Sequence, residues 1–102
     1  MDWKKEKVLV IGTGAAAGKK STLVVTNELE NSANKLYYMT ATDATGLTAV
    51  TSGTAITTSA WTALAGNSLT FTPTSGHTAI RVVEVDSANK PVAVGDAKIN
   101  IG

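Results

Sequence analysis

No cysteine occurs among the 102 residues. That removes disulfides as staples and thiolates as metal ligands, and it leaves the redox compartment open. Histidine is nearly absent: His77 stands alone, and a zinc site built on it would need carboxylates that do not lie near it in sequence. Charge is sparse and balanced, with nine Lys and Arg against eight Asp and Glu and a formal net charge of +1. Such a chain has no basic excess to hold a phosphate backbone, so nucleic acid is not an expected partner. No apolar run approaches the roughly 20 residues of a membrane-spanning helix. The charged start Met1-Asp2-Trp3-Lys4-Lys5 does not lead into an apolar core of signal-peptide length. On that pattern the chain is expected to be assembled inside a cell, or to be a fragment of something longer.

What is present leans towards sheet. There are 16 Thr and 15 Ala, and the branched carbon of Thr favours a pleated surface. Gly, Asn and Pro punctuate the chain at regular intervals, so the pattern is all-β. The length suits one domain with a core that needs no staples. Between residues 36 and 80 the only formal charge is Asp43. One reading is a surface kept soluble by hydroxyls. The sharper one is a face that lies against neighbours in an assembly, where charge would be costly to desolvate.

The clearest element is a C-terminal hairpin over residues 78–101. Val83 and Val85 alternate with Glu84 and Asp86, which predicts one dry and one wet face. Ser87-Ala88-Asn89-Lys90 is turn chemistry, and Pro91 can open a strand but not continue a central one. Pairing Val85 with Val92 and Val83 with Val94 sets Arg81 opposite Asp96. The apolar parity then changes between Ile80/Val82 and Val83/Val85, and again near Gly95, which predicts a bulge or bend there. Upstream, strands are expected over residues 7–11, 21–26, 36–40 and 68–72, with a flexible Gly/Ala loop over 12–18. Residues 1–20 thus read as an arm carrying the first strand and that loop, and 7–102 as a single sandwich domain. The middle holds one or two short strands over 47–56. Residues 59–64 form either a helical turn capped by Ser59, with Trp61 and Leu64 on one side, or a crossing strand. Ser32-Ala33-Asn34-Lys35 repeats as Ser87-Ala88-Asn89-Lys90, by coincidence of common turn residues or by shared turn design.

Few motifs could carry chemistry. Gly12-Thr13-Gly14-Ala15-Ala16-Ala17 satisfies the dinucleotide fingerprint, but a helix must open there to face a pyrophosphate. Residues 18–26 are strand-like instead, and no alternating β/α pattern appears. The phosphate-loop spacing fails, because only three residues separate Gly14 from Gly18 and Lys20 intervenes before Ser21. His77 with Ser75 lacks an orienting acid for a triad; a bond to a backbone group is its expected role. Glu84 and Asp86 are two apart on the expected wet face, too few for calcium. Tyr37, Tyr38 and Trp61 are candidates for stacking on a sugar, or for sheet packing. No catalytic residue, metal or cofactor is expected.

Residues 67–85 (NSLTFTPTSGHTAIRVVEV) look like the E strand, corner and F strand of an immunoglobulin-like sandwich, with the final hairpin supplying strand G. The combination of Lys35-Leu36-Tyr37-Tyr38, Trp61 and residues 80–95 resembles short modules of tailed-phage virion proteins and Gram-positive surface proteins. The resemblance implies an immunoglobulin-like antiparallel β-sandwich of about seven strands, without catalysis. Its expected role is a virion decoration or head-surface protein that binds a shell lattice, such as a major capsid protein or copies of itself. The alternative is a spacer or adhesive module on the extracellular cell surface, with a carbohydrate-binding variant. Trp3, Lys4, Lys5, Lys7, Lys19 and Lys20 are the candidate partner contacts.

Overall fold

The computed structural model describes residues 9, 11–26, 28–51 and 53–102. Among these residues seven strands form two antiparallel sheets: β1 (Ile11–Ala16), β2 (Lys20–Val25), β3 (Lys35–Ala41), β4 (Thr62–Leu64), β5 (Ser68–Phe71), β6 (Ala79–Val85) and β7 (Pro91–Lys98). A three-stranded sheet has the order β1-β2-β5, and a four-stranded sheet the order β4-β3-β6-β7. Among the described residues there is no α-helix, only 3-10 turns at Ala44–Gly46 and Thr58–Ala60. The expected β-sandwich is the observed fold. β5, β6 and β7 stand where the E, F and G strands of the immunoglobulin-like pattern belong: β5 lies in one sheet and β6 and β7 in the other.

The sheets meet through period-two faces. On β2, Ser21, Leu23 and Val25 turn inward, opposite Phe71 and Leu69 on one side and Ile11 on the other. From β6, Ile80 and Val82 point back at them, and Leu36, Leu64, Ala93 and Ile99 complete the core. β6 is buried on its outer face too. Val83 and Val85 pack there with Trp61, Tyr37, Met39, Val50 and Ile56, so the crossover between β3 and β4 covers the back of the sheet. This explains the parity change read in the sequence. Both parities of β6 are apolar because both faces are dry, and Gly95 keeps the inner parity of Ala93 and Ala97 with no bend.

Three expectations need correction. First, residues 12–18 are not a flexible loop: residues 12–16 belong to β1, paired with β2 from Ile11↔Val25 to Ala16↔Lys20. Thr, Ala and Gly suffice for a strand here because the ladder amides find partners in β2. The expected strand over 7–11 lies largely outside the described residues; Leu9 itself is buried and its N–H donates to the Val94 carbonyl at 3.0 Å. Second, Arg81↔Asp96 and Val83↔Val94 pair as expected, but Val85 faces Pro91 across a register shift at Glu84/Val85. The bulge therefore sits at Val92, beside the turn, where an extra residue disrupts the fewest ladder bonds. Third, no described residue of 47–56 lies in a strand; of the two readings of residues 59–64 the strand is the one found, as β4, with Trp61 turned to the outer cluster and Leu64 to the core.

The strand directions define two ends. Ile11, Val25, Lys35, Leu64, Ser68, Val85 and Pro91 lie at one, the entry end; Ala16, Lys20, Ala41, Phe71, Ala79 and Lys98 lie at the other, the exit end. The chain comes in past Leu9 towards β1 and finishes at Gly102, whose N–H donates to the Lys20 carbonyl at 3.1 Å. β1 and β7 therefore run side by side in the same direction. Leu9 bonds Val94, the Thr13 hydroxyl donates to the Lys98 carbonyl, and Asn100 Nδ2 donates to the Thr13 carbonyl at 3.2 Å. Gly95 is required on this seam, because a Cβ there would run into the Leu9 carbonyl oxygen.

Candidate interaction surfaces

At the entry end, the β2–β3 connection is fixed by a carboxylate. Glu84 faces inward opposite the small Ala93 and is fully buried. Its Oε2 accepts the Glu30 N–H at 2.7 Å and Asn34 Nδ2 at 2.8 Å, while Oε1 has no hydrogen-bond partner among the described residues. The expectation of a wet Glu84 is thus corrected. The sequence did carry the signal, since Val82, Val83 and Val85 are apolar on both parities and Glu84 belongs to the same two-sided strand. Asp86, half-buried, is a turn former: its Oδ1 accepts the N–H groups of Ala88 and Lys90 at 2.9 and 3.0 Å.

The repeated Ser-Ala-Asn-Lys turns share one design, and both lie at the entry end. Asn31 Oδ1 accepts the Ala33 N–H at 3.0 Å as Asp86 Oδ1 accepts that of Ala88. The Asn34 N–H bonds the Asn31 carbonyl as the Asn89 N–H bonds that of Asp86, both at 2.9 Å. In each case an Asx residue directly ahead of the motif nucleates the turn. Beneath the first of these turns, between it and the β4–β5 turn, opens a groove of about 740 Å³. Leu29, Leu36, Ala63, Leu64 and Ala65 line it, with Glu28 and Lys35 among its polar residues. Leu29 is one of three exposed large hydrophobic side chains among the described residues.

At the exit end the β1–β2 turn projects Ala17, Gly18, Lys19 and Lys20, all exposed. Gly18 and Lys19 have φ of 84° and 60°, the left-handed region that a tight hairpin needs. Lys19 and Lys20 are thus presented together. Trp3, Lys4, Lys5 and Lys7 lie outside the described residues.

The aromatic trio is dispersed. Tyr38 faces the core, its ring 5.7 Å from that of Phe71, and burial pushes its phenol pKa up. Tyr37 and Trp61 belong to the outer cluster, and Trp61 is only 7% exposed. No single face offers all three to a sugar. The dinucleotide fingerprint lies in the β1 ladder and its hairpin turn, with no helix N-terminus beyond it. His77 meets a side chain and not the backbone group expected of it: its Nδ1 lies 2.7 Å from the Thr40 hydroxyl. Among the described residues no group of three or more His, Asp or Glu is placed to hold a metal, and no helix is long and apolar enough to cross a membrane.

No protein-family model matches the chain, and no curated protein matches it. Solved structures do. The crystal structure of the S-layer protein SbsC, domains 7, 8 and 9, superposes with a TM-score of 0.69 at 21% identity, over 91% of this chain and 27% of that one. The structure of the surface layer protein SbsC, domains 4–9, gives 0.67 and 22%, over 92% of this chain and 14% of that one. The chain therefore spans about a quarter of the first and a seventh of the second. At this identity the likeness establishes the β-sandwich fold.

Proposed function

We propose that this chain is a non-catalytic structural module of the extracellular cell surface, used in line as a spacer. The observation that carries the reading is the path of the chain. It enters at one end, leaves at the other, and its first and last strands are bound side by side along the seam. A module bound in this way resists tension applied along its length. The likeness to SbsC supports this choice, because the two matched structures are surface-layer protein fragments of three and six domains, of which the chain covers about one domain's share. The virion role has nothing among these comparisons to favour it, and the burial of Trp61 and the separation of Tyr37 from Tyr38 argue against the carbohydrate-binding variant. Antibody raised against the chain is expected to label intact cells of the source organism. Labelling that appears only after lysis would contradict the reading.

A further inference from the structure

We propose that Met39 is a peroxide-sensitive clasp, whose oxidation to the sulfoxide loosens the crossover from the back of the four-stranded sheet. Met39 is half-buried on the outer face of β3 and packs against both outer clusters: Ala41, Leu47 and Ala79 in one, Trp61, Val83 and Val85 in the other. Its Sδ accepts the Thr48 N–H at 3.2 Å. The Thr48 carbonyl accepts Arg81 Nη1 at 2.8 Å, and Arg81 is the residue paired with Met39 across the β3–β6 ladder. Thr48 is thus held by both of its backbone groups to side chains of the sheet. The crossover needs such ties, because residues 47–51 lie in no strand and have no ladder partner.

A thioether suits this place, because it fills an apolar gap and still accepts one N–H weakly. A hydroperoxide changes that. The sulfur lone pair takes the terminal oxygen, the O–O bond breaks and an S–O bond forms. The proton of the terminal oxygen passes to the departing one. Sulfur is oxidised by two electrons, and the peroxide is reduced to water or an alcohol. The product is a polar sulfoxide between two apolar clusters, where a polar atom without a partner is costly. An oxygen set between Sδ and the Thr48 nitrogen would lie closer to that nitrogen than a hydrogen bond allows. An oxygen turned towards water draws the sulfur away from Thr48. In both arrangements the Thr48 tie opens.

The test treats the full chain with hydrogen peroxide, maps the added oxygen by peptide mass spectrometry and follows amide exchange by NMR. Met1, the other methionine of the sequence, is the internal reference. The expected result is one oxygen on Met39, with exchange at Thr48 about tenfold faster and the Val82 amide of the core strand unchanged. A methionine sulfoxide reductase should reverse both changes. Met39→Leu keeps the apolar bulk and is expected to make exchange at Thr48 indifferent to peroxide. Met39→Gln, polar at the same length, should reproduce the fast exchange without any oxidant. Met39 left unoxidised when Met1 is fully converted would overturn the proposal. So would a sulfoxide at Met39 with exchange at Thr48 unchanged, or a peroxide response retained in Met39→Leu. Faster exchange spread equally to Val82 would also overturn it, by making the oxidation a lesion of the whole fold. The spacer reading stands or falls separately, on the cell-labelling result.

Discussion

Val83→Ala is the substitution that separates a two-sided β6 from an ordinary half-wet strand. Val83 is fully buried on the outer face, among Trp61, Tyr37 and Val50. Val82 is fully buried on the inner face, against the other sheet. Truncating either valine removes two buried carbons, about 1.6 kcal/mol at the usual transfer value, and leaves a cavity whose cost adds to that. The expected loss is therefore about 2 kcal/mol for each, a large share of the roughly 5–15 kcal/mol that holds a domain folded. Urea unfolding should show both midpoints falling by similar amounts at unchanged slope. If Val83→Ala stays within about 0.5 kcal/mol of the parent, as a surface change would, while Val82→Ala costs the full amount, the crossover does not seal the back of the sheet.

The polar contacts supply three further expected outcomes. Glu84→Ala leaves the Glu30 N–H and Asn34 Nδ2 without their buried acceptor and is expected to cost about 3 kcal/mol, with faster amide exchange at Glu30; unchanged exchange there would remove Glu84 as the anchor of the β2–β3 connection. Arg81 grips Asp96 in a two-pronged pair, Nε–Oδ1 at 2.7 Å and Nη2–Oδ2 at 2.8 Å, and donates Nη1 to the Thr48 carbonyl. Because the pair is partly solvated, a double-mutant cycle should give a coupling of only about 0.5–1 kcal/mol, smaller in high salt; zero coupling at low salt would refute it. Asp43 accepts from the Thr45 hydroxyl and the Gly46 N–H, which hold its pKa below the ordinary aspartate value. With the folded pKa depressed, its contribution to stability is present above the unfolded value and is lost as pH falls through the folded one. The Thr45 and Gly46 amide shifts should therefore titrate with a midpoint below that of an ordinary aspartate, and a midpoint at or above it would contradict the capping geometry.

β2 and β5 were legible because each alternates cleanly; β3, β6 and β7 were legible through their branched and aromatic residues and the turn residues that bound them, although the outer faces of β3 and β6 are covered too. The Arg81–Asp96 register was legible because opposite charges across a ladder are a local signal. β1 was missed because its Gly/Thr/Ala composition lacks apolar bulk; its order comes from pairing with β2, which composition does not encode. Glu84 was misplaced although its apolar neighbours on both parities signalled a dry strand, because the groups that accommodate it are not local. Its burial depends on Ala93 leaving room and on a loop fifty or more residues earlier supplying donors. The entry-end groove is likewise a product of topology, since Leu29 and Leu64 meet only once the two sheets are stacked.

The spacer account is tested most directly by pulling single molecules from their two ends. Tension applied there loads the bonds of the β1–β7 seam in shear, so they must break together. Tension between Ser75→Cys, in the corner ahead of β6, and the C-terminus unzips β7 from β6 one bond at a time. The account predicts a distinctly higher unfolding force for end-to-end pulling. An end-to-end force no higher than the unzipping force would contradict it.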